Sequence, residues 1–96
     1  LKQDYLAEVV SQLNRQKYYS KIARMKGLEG VAQVEFVINK NGKVISQAVL
    51  NSSGHRLLDE SAIKMISKAQ PFPKIPEGLN KEEIRIEFPF FFQIDD

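Results

Sequence analysis

The only residues of the 96-residue chain that suggest catalytic or metal-binding chemistry are the histidine His55 and the adjacent carboxylates Asp59 and Glu60. A serine nucleophile needs a histidine base, and a zinc site needs several imidazole or thiolate ligands. His55 is the single histidine and cysteine is absent, which argues against both and gives no reason to expect a cofactor. Asp59 and Glu60 are adjacent, so on a helix they point in different directions and cannot share a proton. They are read instead as complements to a helix dipole, with His55 in the turn before that helix.

The remaining chemistry is in the main chain. The tail Ile84 to Ile94 alternates apolar and polar through Phe88, carries four Phe in five positions, and is interrupted by Pro89. A proline has no N–H for a ladder, so such a strand belongs at a sheet edge or a bulge. An apolar edge strand is a template for an extended peptide, held by backbone hydrogen bonds. The expected division is by parity. Ile84, Ile86, Phe88, Phe90 and Phe92 fill the core, while Arg85, Glu87, Pro89, Phe91 and Gln93 mark the exposed edge a partner peptide would occupy.

Five elements must position that edge. A first helix is expected over 1–16, with Tyr5, Leu6, Val9, Val10 and Leu13 at helical spacing. Ser20 to Lys26 offers a further helical turn, stopped by Gly27. A β-hairpin is expected over 30–50. Ala32, Val34, Phe36 and Ile38 share one face of its first strand, and Asn41-Gly42 makes the turn. Asn51 to Gly54 breaks the pattern and offers capping side chains. A second long helix follows over 56–69, with Leu58, Ala62, Met65, Ile66 and Ala69 apolar. Pro71-Phe72-Pro73 and Pro76 force an extended crossing, seating Phe72 in the core, before a last edge strand over 81–94. The order α-β-β-α-β predicts one α+β domain, a three-stranded antiparallel sheet with two helices packed on one face.

Composition narrows the function further. An apolar fraction of 43% and a charged fraction of 27% are those of an ordinary globular domain. A net charge of +2 falls short of the basic balance that nucleic-acid binding requires. The positive charge is nonetheless concentrated: Arg15, Lys17, Lys21, Arg24 and Lys26 form an acid-free stretch. That stretch is either a solvated surface or a docking site for an acidic partner, with Tyr18 and Tyr19 as interface anchors or core-closing side chains. No apolar run reaches the roughly 20 residues of a membrane helix. The chain opens at Leu1, which fits a domain of a longer protein with any anchor upstream.

Several local signatures then occur in one order. They are Ala23-Arg24 and Gly27-Leu28-Glu29-Gly30; Phe36-Val37-Ile38 with Asn41-Gly42-Lys43-Val44; Ser52-Ser53-Gly54-His55 with Leu58-Asp59 and Ala62; and Ala69-Gln70-Pro71-Phe72-Pro73. Together they resemble the C-terminal domain of TonB-family energy transducers, over about Tyr18 to Ile94. The resemblance implies a periplasmic domain of a protein anchored in the inner membrane and coupled upstream to motor proteins of the ExbB/ExbD type. Its partner would be an outer-membrane transporter, whose N-terminal TonB box adds a strand beside the last strand of this domain. The cargo would be an iron chelate, haem or a similar nutrient. A transporter-plug contact that reads Gln-Pro-x-Tyr-Pro in some members aligns with Gln16 to Ser20. Gln16 and Tyr19 are retained, and Lys17 and Ser20 replace the prolines. Gln16, Tyr18, Tyr19 and Arg24 are the candidate plug contacts. An open edge also admits a strand-paired homodimer. A related periplasmic scaffold gripping another cell-envelope peptide is the alternative function.

Overall fold

The computed structural model describes residues 2–15 and 20–94. Gln16, Tyr18 and Tyr19 lie outside the described residues. The elements are α1 (Lys2–Arg15), α2 (Lys21–Met25), β1 (Gly30–Asn39), β2 (Val44–Asn51), α3 (Arg56–Ala69), a 3-10 turn (Glu77–Leu79) and β3 (Glu83–Phe92). The strands form one antiparallel sheet in the order β2-β1-β3, so the last strand lies at one edge and the hairpin's second strand at the other.

The core lies between one face of this sheet and the helices. Ala32, Val34, Phe36 and Ile38 of β1 are completely buried, and Ile84, Ile86, Phe90 and Phe92 of β3 join them. From α3, Leu58, Ala62, Met65, Ile66 and Ala69 pack down, and α1 contributes Tyr5, Val9 and Leu13. Each set follows its element's period, every second residue in a strand and every third or fourth in a helix. Phe72, from the crossing after α3, stacks on Phe36 with ring centroids 5.8 Å apart.

Polar contacts tie α1 to the crossing. The Tyr5 hydroxyl donates to the Pro73 carbonyl at 2.8 Å, and the Gln12 amide donates to the carbonyls of Ala69 and Pro71. Burial, and then the Glu8 carboxylate, push the Tyr5 phenol above its ordinary value, which keeps it a donor. Tyr5→Phe is therefore expected to lower stability by about 1 kcal/mol. In urea unfolding this would shift the midpoint with an unchanged slope.

Three expectations need correction. The last strand begins at Glu83 rather than Lys81, because Asn80 turns the chain with left-handed backbone (φ 52°) after the 3-10 turn. It ends at Phe92 rather than Ile94, where the Ile94 N–H is taken by the Glu29 side chain at 2.7 Å. Ser52, Ser53 and His55 do not cap α3: His55 occupies the N-cap position but makes no side-chain cap hydrogen bond.

The serines serve Asp59 instead. Its carboxylate accepts from the Ser52 hydroxyl at 2.5 Å and from the Ser53 N–H and hydroxyl at 2.9 and 2.8 Å. This clasp ties the β2–α3 loop to the first turn of α3. Burial alone would raise the Asp59 pKa, but the bonds from Ser52 and Ser53, helped by the charge of His55, outweigh it and hold the carboxyl below its ordinary 3.8. The clasp's stability is thus fully present above pH 3.8 and is lost as pH falls through the lower folded-state value. Asp59→Asn is expected to cost about 1 kcal/mol at pH 7 and to flatten the acid limb of the stability profile, read by thermal unfolding from pH 7 to pH 2.

Candidate functional site

The backbone of β3 faces two ways, and hydrogen bonds show which residues face where. In a strand each residue's N–H and C=O point to the same side, and the side alternates along the chain. The Asn39 N–H donates to Lys43 across the hairpin turn at 2.8 Å, so the odd-numbered residues of β1 turn toward β2 and the even-numbered toward β3. Pairing of β1 with β3 runs without a shift from Gly30 opposite Phe92 to Asn39 opposite Glu83. Even therefore meets even, and Ile84, Ile86, Phe88, Phe90 and Phe92 close the internal ladder.

The backbone groups of Arg85, Glu87, Pro89, Phe91 and Gln93 consequently point away from the sheet. Two details agree. Pro89, which has no N–H, falls in the set that needs no internal donor. Ile94, an even residue, sends its N–H back to the β1 side, to Glu29. The open edge presents four donors and five acceptors, with a single gap at Pro89.

Sequence-level alternation places side chains on faces and leaves the direction of the backbone undecided. That direction follows only from the strand order. Among the described residues, β3 has β1 on one side and no strand on the other.

The side chains of the edge residues lie on the outer face of the sheet, opposite the helices. Arg85, Glu87, Phe91 and Gln93 are exposed and Pro89 is half-buried. Arg85 Nε stands 3.7 Å from a Glu35 carboxylate oxygen, with Arg85 exposed and Glu35 half-buried; a long pair with one exposed partner contributes little to stability. At the end of β3, Glu29, Gly30, Val31, Phe92, Gln93 and Ile94 line an open depression of about 350 Å³. Gly30 is packed there against the loop that Asp59 clasps: a Cβ on Gly30 would lie 2.7 Å from the Ser53 carbonyl oxygen. The loop that Asp59 clasps thus lies against the start of β1, which pairs with the end of β3, a proximity the residue pattern did not disclose.

Arg24, the one candidate plug contact among the described residues, is exposed on α2. That short helix is started by Ser20, whose hydroxyl accepts from the Ala23 N–H, and is stopped at Gly27 (φ 67°). Its outer side leaves Ile22 and Met25 56% and 78% exposed. No group of carboxylates and imidazole suited to a metal ion occurs among the described residues.

Comparison with known proteins agrees with this architecture. The family model described as the Gram-negative bacterial TonB protein C-terminal matches residues 15–94. Protein TonB of Pseudomonas putida is 37% identical over 90 residues, covering 93% of this chain and 37% of that protein. Protein TonB of Vibrio cholerae is 35% identical over 80 residues, covering 83% and 32%. The chain thus spans about a third of the length of these curated relatives. Among solved structures, the C-terminal domain of Helicobacter pylori TonB superposes with a TM-score of 0.79 at 29% identity, covering 97% of this chain and 83% of that one. The Pseudomonas aeruginosa TonB domain gives 0.64 at 26% identity, covering 82% and 79%. With the matched residues running from the end of α1 past the last strand, this chain belongs to the TonB C-terminal domain family.

Proposed function

We propose that this domain is the gripping end of a periplasmic energy transducer. It takes the TonB box of an outer-membrane transporter as a fourth strand beside β3. It then passes on work delivered through an inner-membrane anchor and motor proteins of the ExbB/ExbD type, for uptake of an iron chelate, haem or a similar nutrient. The observation that supports this best is the open backbone of Arg85 to Gln93, on a chain that belongs to the family. A backbone ladder reads extended shape more than sequence, so one edge can serve several transporters with divergent peptides. Its hydrogen bonds act in parallel and must yield together under a pull. No bond-making chemistry is part of this role, and the domain acts as an adaptor rather than an enzyme.

The test is titration of isotope-labelled domain with synthetic TonB-box peptides. Amide shifts are expected to concentrate on Arg85 to Gln93, with smaller changes across the strand at Gly30 to Val37. Shifts that map instead to α3 would overturn strand addition.

A further inference from the structure

The outer face of the sheet carries two unsettled features on either side of Pro89. The first is electrostatic. Glu35 and Glu87 stand directly opposite each other across β1 and β3, and like charges so placed repel. Arg85 lies beside Glu35, whereas Glu87 has no cationic partner among the described residues. The second is apolar. Phe91 is 67% exposed and its cross-strand neighbour Val31 43% exposed, together forming an apolar spot at the rim of the depression lined by Gly30, Val31 and Gln93. A large aromatic left open at an edge is the kind of anchor that dominates interface energetics.

A strand laid along the open edge places one residue opposite each odd position of β3. Directly opposed side chains project from the same face. The residues facing Glu87 and Phe91 therefore both lie on the outer face, about 13 Å apart at the rise of an extended chain. The partner carbonyl facing Pro89, between them, receives no donor.

We infer that the edge selects an extended peptide carrying lysine or arginine opposite Glu87 and a large apolar residue opposite Phe91, four residues apart. This rests on the strand-addition reading above and adds to it a partner chemistry. The two side-chain contacts flank the gap in the ladder and fix the register that backbone bonds alone leave free. For a parallel partner the base precedes the apolar residue; for an antiparallel one it follows.

Nine-residue peptides in a threonine–serine host would carry Lys and Leu four apart in either order, each with a Glu-for-Lys version. Binding is read by fluorescence anisotropy against the wild-type domain and E87K. One order is expected to bind the wild type, with the Lys peptide about fivefold tighter than its Glu version, and E87K should reverse that preference. F91A, which keeps the edge N–H, should lose the advantage of Leu over a Ser replacement. Binding at the edge with the same charge preference in wild type and E87K overturns this inference and leaves strand addition standing. Failure of every peptide, TonB-box sequences included, to bind the wild type overturns both.

Discussion

Phe91→Pro is expected to weaken TonB-box binding by about 10–100-fold while leaving the domain folded. Phe91 is an odd residue of β3, so its N–H faces the open edge and a proline there breaks no internal bond. A partner carbonyl then loses its donor and is enclosed unsatisfied, which costs about 1–3 kcal/mol. The pyrrolidine ring also obstructs close approach of the added strand. With Pro89 two residues away, the C-terminal arm of the edge would keep only the Gln93 donor. The contrast is Phe90→Pro, one position earlier and 6% exposed. Its N–H belongs to the ladder with β1, opposite Ala32, so that substitution is expected to unfold the domain or abolish its expression. Isothermal titration with peptide, paired with thermal unfolding, separates the two. Equal stability losses for both variants would contradict the assigned parity.

Gly42→Ala is expected to be the most damaging single-atom change in the chain, costing about 3 kcal/mol or more. Gly42 has φ 87°, a conformation costly for any residue with a Cβ. A Cβ there would lie 1.9 Å from the Phe72 carbonyl oxygen, and both atoms sit on backbone that cannot step aside. The turn is bolted to the crossing: the Phe72 N–H donates to Gly42 at 2.8 Å and the Ile75 N–H to Lys40 at 3.1 Å. Nearby, the Val44 N–H donates to the Gln70 side chain at 3.0 Å. Separation of the turn from Phe72 would loosen the stack on Phe36 and the crossing that delivers the chain to β3. Gly27→Ala is the control. Gly27 also has positive φ (67°), but a Cβ there meets nothing within 4 Å, so the cost should stay at about 1–2 kcal/mol. Urea unfolding of both variants checks this, and similar midpoints for the two would refute it.

Where the pattern could be read from the sequence, local physics was enough. Alternation in Ala32 to Ile38 and the 3.6-residue period of Leu58 to Ala69 mark faces buried whatever the partner. Pro89 marks an edge because proline chemistry does. Long-range geometry was not legible in this way. In β2 the β-branched residues Val44, Ile45 and Val49 mark a hairpin strand but say nothing of its register or burial. Two register shifts leave Ile45 and Leu50 as extra residues, and they are 48% and 44% exposed. Asp59 reads as a dipole complement and does lie in the first turn of α3, but nothing in its spacing announces that Ser52 and Ser53 also fold back onto it. Glu29 likewise carries no signal of its bond to Ile94, since their proximity exists only once β3 lies beside β1. The odd–even division of the candidate edge belongs to the same class: the residues were nameable in advance, and the direction of their backbone groups was not.

Strand addition at β3 is decided by hydrogen exchange of its individual amides, with and without a TonB-box peptide. In the free domain the N–H groups of Ile84, Ile86, Phe88, Phe90 and Phe92 should be protected, and those of Arg85, Glu87, Phe91 and Gln93 should exchange rapidly. Saturating peptide should slow the second set and leave the first nearly unchanged. Protection already present at the odd positions, or absent from them after peptide has bound, would rule out strand addition at this edge.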